Sequence, residues 1–194
     1  MKKQKLILPI NACRLTATYK SKNYKKQMGY RHYGVDMTDK NKKDKNVWAS
    51  GVGEVLETGW SNSGGNVVVV LYKDCLLIDG TVRNLVIRYY HLAKIICKKG
   101  QKTSKETRLG LYGSTGASTG DHLHIEIDVD ARPQYACYTP QIGKNSGVLK
   151  TGVDSTINPT KCLYVKASKP DNQSITNSGY DTVDKDDLNY QPYE

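Results

Sequence analysis

Phenylalanine is absent from the 194 residues, whereas tyrosine occurs 14 times. A core without Phe must rest on Val, Ile, Leu and Tyr, and tyrosine together with β-branched residues favours sheet. Long apolar runs are missing too. None approaches the roughly 20 residues of a bilayer-spanning helix, which predicts a soluble protein. The opening, Met1-Lys2-Lys3 followed by Leu6-Ile7-Leu8, has the basic start of a signal peptide. Its apolar run of about five residues is broken by Pro9 and falls short of the roughly 7 to 15 required, so no signal peptide and no lipid attachment at Cys13 are expected. Cysteine is sparse and scattered: Cys13, Cys75, Cys97, Cys137 and Cys162 never come close enough for a metal knuckle, and an odd count reads as mostly free thiols. Histidine is scarcer still, with four in the chain.

Acidic residues are nearly missing from the first 45 positions, which hold 13 Lys and Arg against 3 Asp and so account for the whole net charge of +10. Such a field attracts polyanions, either nucleic acid or an anionic cell surface. No nucleic-acid motif accompanies it, so no specific nucleic-acid partner is expected. At the other end, residues 167–194 carry two Lys against five Asp and one Glu and hold few large aliphatics. They read as a polar, acidic tail that is mobile or peripheral. The length fits one domain over residues 1–166 with that appendage.

What is there alternates. Residues 6–19 read as edge-strand material interrupted by Pro9, and 47–60 as strand, glycine turn, strand. Asn66 to Tyr72 is the clearest strand, and Leu85 to Tyr90 is a second that delivers His91 at its end. Residues 74–84, with Asp79-Gly80, connect the two. Residues 20–31 are basic and irregular, Asn158-Pro159 is a turn, and Cys162 to Val165 is a closing strand. Helical periodicity is nowhere convincing, so the expectation is an all-β or β-dominated domain with glycine-marked turns.

The four histidines fall in patterned company. Gly113 to Gly120 can make only a tight loop, and it feeds a strand in which His122, His124 and Glu126 alternate with Leu123, Ile125 and Ile127. Residues two apart on a strand share a face, which sets His122 and His124 side by side at about 7 Å between α-carbons. His32 and Asp36 are four apart. A straight strand would separate them by about 13 Å, too far for two ligands that each reach a metal at about 2 Å. The backbone should therefore bend, and Gly34 permits it. A catalytic zinc needs three protein ligands and an open position, which His32, Asp36 and one of the His122/His124 pair supply. Spacing leaves open which of the pair it is. Zinc lowers the pKa of bound water toward about 7 and polarises a carbonyl, as amide hydrolysis requires. The remaining imidazoles, His91 and one of the pair, suit proton transfer or oxyanion stabilisation.

The combination of His32-x-x-x-Asp36, Tyr90-His91-Leu92 and Gly113-x-Thr115-Gly116 followed by His122-Leu123-His124 resembles the lysostaphin and LytM type of zinc endopeptidase, which cleaves bacterial peptidoglycan. The resemblance covers residues 8–128, with Ile157-Asn158-Pro159 through Leu163 similar to the family's closing segment. It implies an antiparallel sheet with a narrow, loop-walled groove and one Zn2+ per chain held by His32, Asp36 and His124. It implies catalytic roles for His91 and His122, and an oxyanion-assisting tyrosine upstream, either Tyr24 or Tyr30. The implied setting is the bacterial cell wall, with peptidoglycan as substrate; the missing signal segment leaves secretion as part of a longer protein, a phage or a conjugation machine as the route, and the basic first 45 residues are expected to hold the protein on anionic wall polymers. The alternative is a non-catalytic relative that serves as a partner within a wall-associated assembly. Asp121 stands where the family usually has proline and Ile125 where phenylalanine is common. Residues 131–156 and the tail have no counterpart.

Overall fold

The computed structural model describes residues 3–29, 31–129, 156–166, 175–177 and 192–193. The strands, in chain order, are β1 (Leu6–Ile7), β2 (Cys13–Ala17), β3 (Val35–Asp39), β4 (Asn46–Trp48), β5 (Gly53–Ser61), β6 (Gly65–Leu76), β7 (Val82–Ile95), β8 (Lys102–Thr103), β9 (Arg108–Tyr112), β10 (Leu123–Asp128), β11 (Thr156–Ile157), β12 (Leu163–Lys166), β13 (Ile175–Asn177) and β14 (Pro192–Tyr193). Eleven of them join one sheet along the path β13-β2-β3-β10-β7-β6-β5-β8, with β11 on β10 and β9 bridging β7 to β4. All its pairings are antiparallel except β13 on β2. A separate parallel trio, β1-β12-β14, ties the start of the chain to residues 163–166. The β-dominated antiparallel fold expected from the sequence is the one observed.

The run Val67 to Val70 in β6 does not alternate with polar residues, and the reason is that both of its faces are covered. Val68 and Val70 enter the main core with Val35, Ile87, Ile125 and Ile127, while Val67 and Val69 pack on the opposite face with Val86 and Tyr90. Tyrosine stands in for the missing phenylalanine, and its hydroxyls find partners. Tyr72 accepts the Ser50 N–H at 3.0 Å and lies 2.8 Å from the Tyr89 hydroxyl, which in turn meets Ser50 Oγ at 3.1 Å. Tyr112 accepts the Asp39 N–H at 3.1 Å. A buried Tyr of this kind keeps its apolar area without stranding a polar atom.

Three readings of the sequence change. Residues 20–31 are not irregular: Lys22–Met28 form a helix, α1, capped by Ser21 Oγ on the Tyr24 N–H and ended by Gly29 at φ 83°. None of its residues is buried, so no apolar stripe betrays it, and the capping pair is its only mark. The β6 and β7 strands run further than expected, leaving only a tight turn at 77–81. His91 therefore does not end its strand but sits inside β7. The turn expected at Asn158-Pro159 and the strand after it appear, as a 3-10 turn at Pro159–Lys161 capped by Asn158 and then β12. Two pieces of 167–194 pair with the sheets as β13 and β14. The rest of that stretch, and residues 131–155, lie outside the described residues.

Cys13, Cys75, Cys97 and Cys162 are free and buried, in line with the sequence reading, while Cys137 falls outside the described residues. Burial pushes the Cys75 thiol up to about 12 and the Cys97 thiol up to about 11, so neither is a reactive thiolate. Among the described residues no helix is long and apolar enough to cross a membrane.

Candidate metal centre

The site is laid across three neighbouring strands. In the ladder, His124 of β10 stands directly opposite Asp36 of β3 on one side and Tyr90 of β7 on the other. The alternating neighbours Leu123 and Ile125, opposite Met37 and Val35, point into the core and fix which way the polar set faces. His122 precedes β10 in a single bridge to Gly113, and its position two residues from His124 keeps it on the same side.

His32 reaches the cluster through the bend expected at Gly34, after which β3 begins at Val35. Gly34 is confined as well as bent: a Cβ there would lie 2.0 Å from the Ile125 carbonyl oxygen and 2.8 Å from His124 Cε1. The His32 carbonyl accepts the Lys20 N–H, its Nδ1 meets the Thr18 carbonyl at 2.8 Å, and Tyr24 of α1 stacks on its ring at 4.2 Å between centroids. The helix missed in the sequence thus supplies one of the three contacts that hold the first ligand candidate in place.

His91 arrives by backbone strain. Tyr90 already faces the site, so plain alternation would send His91 into the core with Tyr89. Instead it adopts φ 59°, a left-handed conformation, at the point where β7 stops pairing with β10 and starts pairing with β9. The Gly64 carbonyl takes its N–H, the Gly113 N–H binds its carbonyl, and Nδ1 meets the Thr115 carbonyl at 2.8 Å. The ring ends 4.8 Å from that of His122 and 6.1 Å from that of His124. The loops around Gly64 and Thr115 wall this side of the cluster.

Three donor atoms converge. His32 Nε2 lies 3.1 Å from Asp36 Oδ1 and 3.0 Å from His124 Nδ1, and His124 Nδ1 lies 2.7 Å from Asp36 Oδ1. Tetrahedral zinc with bonds of about 2.0–2.1 Å needs donors about 3.3 Å apart, so a small outward shift of these atoms accommodates the ion. Among the described residues His32, Asp36 and His124 are a group able to hold a metal. Burial pushes the Asp36 carboxyl up, but His32 and His124 outweigh it and hold the group well below the usual carboxylate range. Burial pulls His124 down, but its bonds to Asp36 and Glu126 lift it to about 9. Burial, followed by the neighbouring His124 and His122, drops His91 to about 4.

All five residues singled out in the sequence therefore meet: His32, Asp36, His91, His122 and His124. Of the two tyrosines, Tyr24 touches the cluster through His32, and Tyr30 lies outside the described residues. The sequence reading missed Glu126 and Tyr90, whose side chains lie beneath His124. Glu126 Oε1 is 3.3 Å from His124 Nε2, and the Tyr90 hydroxyl donates to Glu126 Oε2 at 3.3 Å. The polar alternation from His122 through His124 to Glu126 was the available signal.

Three metal-type donors brought together by a strand pair and the bend before it, with two further imidazoles beside them, make a site of the kind that holds a divalent metal. The profile of peptidase family M23 matches residues 30–136, more than half of the chain, and the chain belongs to that family. It is 42% identical to the peptidoglycan DD-endopeptidase ShyA of Vibrio cholerae serotype O1 over 87 residues, 45% of this chain and 18% of ShyA. It is 34% identical to lysostaphin of Staphylococcus simulans over 158 residues, 76% of this chain and 30% of lysostaphin. The chain thus spans less than a third of the length of either relative. A crystal structure of a zinc containing peptidase from Vibrio cholerae superposes with a TM-score of 0.52 and 27% identity, covering 64% of this chain and 37% of that one.

Proposed function

We propose that the chain is a zinc-dependent endopeptidase that hydrolyses a peptide bond in bacterial peptidoglycan, with His32, Asp36 and His124 as metal ligands and His91 and His122 as catalytic residues. The observation that carries this reading is the triangle of His32 Nε2, Asp36 Oδ1 and His124 Nδ1, with sides of 2.7 to 3.1 Å, beside two imidazoles that are not part of it. One zinc held there would act as Lewis acid toward a carbonyl and bring water toward its hydroxide form near neutral pH. Zinc, rather than another metal, is supported by two imidazoles with one carboxylate and by the zinc containing relative.

The protein's own groups supply proton handling. Nδ1–H of His91 donates to the Thr115 carbonyl and Nδ1–H of His122 to the Gly120 carbonyl, each at 2.8 Å, so each ring presents a bare Nε2. With its pKa lowered to about 4, His91 is neutral at pH 7, and its bare Nε2, set beside the donor triangle, is the acceptor we assign to the attacking water's proton and the group that returns it to the departing amine. Tyr24, stacked on His32, is the tyrosine we assign to the oxyanion.

Peptidoglycan as substrate is supported by the similarity to ShyA, a peptidoglycan DD-endopeptidase, and action at the bacterial cell wall would follow from it. We take the peptidase unit to be residues 1–166, supported by the pairing of β1 with β12, and 167–194 to be an appended tail. The reading of anionic wall polymers as partners is supported by a groove on the β5, β6 and β8 side, where Lys3, Lys5, Lys73, Lys102 and Lys105 outnumber Glu54 and Asp74. Wall binding that is unchanged by salt would dispose of that partner.

The experiment is digestion of purified peptidoglycan with the zinc-loaded and chelator-treated protein, followed by mass spectrometry of the released fragments. New amino termini that depend on zinc support the assignment and identify the bond. Stoichiometric zinc with no cleavage of any wall type would assign the chain to the non-catalytic relatives instead.

A further inference from the structure

His124 is presented differently from the other three histidines. His32, His91 and His122 each hold Nδ1 against a backbone carbonyl, those of Thr18, Thr115 and Gly120, and turn Nε2 toward the cluster. His124 turns Nδ1 inward, 2.7 Å from Asp36 Oδ1, and points Nε2 away, 3.3 Å from Glu126 Oε1. A neutral imidazole whose lone pair is on Nδ1 must carry its proton on Nε2, and that proton needs an acceptor where water is largely shut out. For the other three histidines that partner is a backbone carbonyl; for His124 it is a carboxylate side chain.

The carboxylate is itself held. Glu126 is buried, two residues along β10 on the same face as His124. Its Oε2 accepts from Tyr90, which is the ladder partner of His124 on β7. The Tyr90 ring is in turn fixed by Gly64, where a Cβ would come within 2.4 Å of Tyr90 Cδ1. Gly64 also takes the His91 N–H, so one loop supports both the catalytic imidazole and the ring beneath the metal ligand.

We propose that Glu126, braced by Tyr90, is a positioning residue that dictates which nitrogen of His124 faces the metal. The inference rests on reading His32, Asp36 and His124 as the zinc site. Without the carboxylate, the His124 ring loses the partner that distinguishes its two nitrogens and can turn its proton toward the metal.

The test compares zinc affinity, by competition with a chromogenic chelator, in the intact chain and in Glu126→Ala, Glu126→Gln and Tyr90→Phe. Glu126→Ala should weaken zinc by about 10- to 100-fold. Glu126→Gln, which keeps a carbonyl oxygen for the Nε2–H, should recover most of the loss, and Tyr90→Phe should show a smaller one. In 15N spectra of the zinc-loaded protein, His124 should be metal-bound at Nδ1 and protonated at Nε2, a signature blurred in Glu126→Ala. Affinity in Glu126→Ala within about twofold of the parent overturns the inference while leaving the zinc site standing. So does a loss that Gln fails to rescue and that tracks a fall in the metal-free melting temperature. No zinc uptake by the parent chain overturns the metal site and this inference together.

Discussion

On one face of β3, β10 and β7, Val35, Met37, Leu123, Ile125, Ile127, Ile87 and Tyr89 are buried in the main apolar core; on the other, Asp36, His124, Glu126, Asp128, Arg88 and Tyr90 pack among one another. The backbone ladder is common to both. On the core face any well-shaped apolar group contributes, because dispersion and burial have no direction. On the polar face each group is withdrawn from water only because a particular neighbour bonds it: Asp36 with His124, Glu126 with Tyr90, Arg88 with Asp128. Removing one member takes from its partner a bond that water does not readily replace. The core face should thus govern stability and the polar face chemistry, and the two should be separable by mutation.

The sharpest break is a crossed pair. Asp36→Ala should abolish zinc uptake and peptidoglycan hydrolysis, read by metal analysis and wall digestion. Ile125→Ala, one residue from His124 but facing the core, should cost about 2–5 kcal/mol in denaturant unfolding. It should still bind one zinc. If Ile125→Ala loses zinc as completely as Asp36→Ala while remaining folded, the faces are not independent.

Next in size is His91→Ala, which removes a proton carrier without touching a metal ligand candidate. Its turnover should fall by about 10²- to 10⁴-fold with zinc affinity unchanged. Gly34→Ala then joins the two faces at the one place where they meet. A methyl group pressed against the Ile125 carbonyl and the His124 ring must push β3 from β10, costing about 1–3 kcal/mol or more and weakening zinc as well. A variant that melts lower yet keeps full zinc affinity would show that the strands part without disturbing the donors.

A pH series sharpens the polar face further. His124 in the metal-free protein has its pKa raised from 6.5 to about 9, so its contribution to stability is complete below pH 6.5 and is lost as pH climbs through 9. Over the same window the proton that zinc must displace leaves by itself, so zinc affinity rises. The gap in melting temperature between zinc-loaded and metal-free protein should widen from pH 6.5 to 9. His91 acts in the opposite sense. Its pKa is lowered from 6.5 to about 4, so the stability it confers is present above pH 6.5 and is lost as pH falls toward 4.

The two faces also differ in how far the sequence exposes them. Strand positions were legible because β10 alternates strictly from Leu123 to Ile127, and the bend at Gly34 followed from the distance between His32 and Asp36. The meeting of all five polar residues was legible through the motifs that carry them. What stayed hidden depends on contacts between distant segments. The kink at His91 exists only because β7 exchanges β10 for β9 at that residue, and helix α1 shows no stripe because it buries nothing. Glu126 looked like one more polar residue in an alternating strand until Tyr90 was seen opposite its neighbour.

The smallest effect expected is at Asp121, adjacent to His122 and yet on neither face. Its carboxylate pairs with Lys45 at 2.5 Å, but both side chains are about half exposed, at 51% and 47%. Water screens such a pair, and holding two mobile side chains in place offsets much of the attraction, so its worth is about 0–1 kcal/mol. His122 is oriented by the Gly120 carbonyl rather than by Asp121. Asp121→Ala should therefore shift unfolding by no more than about 1 kcal/mol and leave hydrolysis within about twofold. A large loss of turnover with stability intact would mean that the Lys45 contact sets the loop carrying His122, and the line between surface and site would have to be redrawn there.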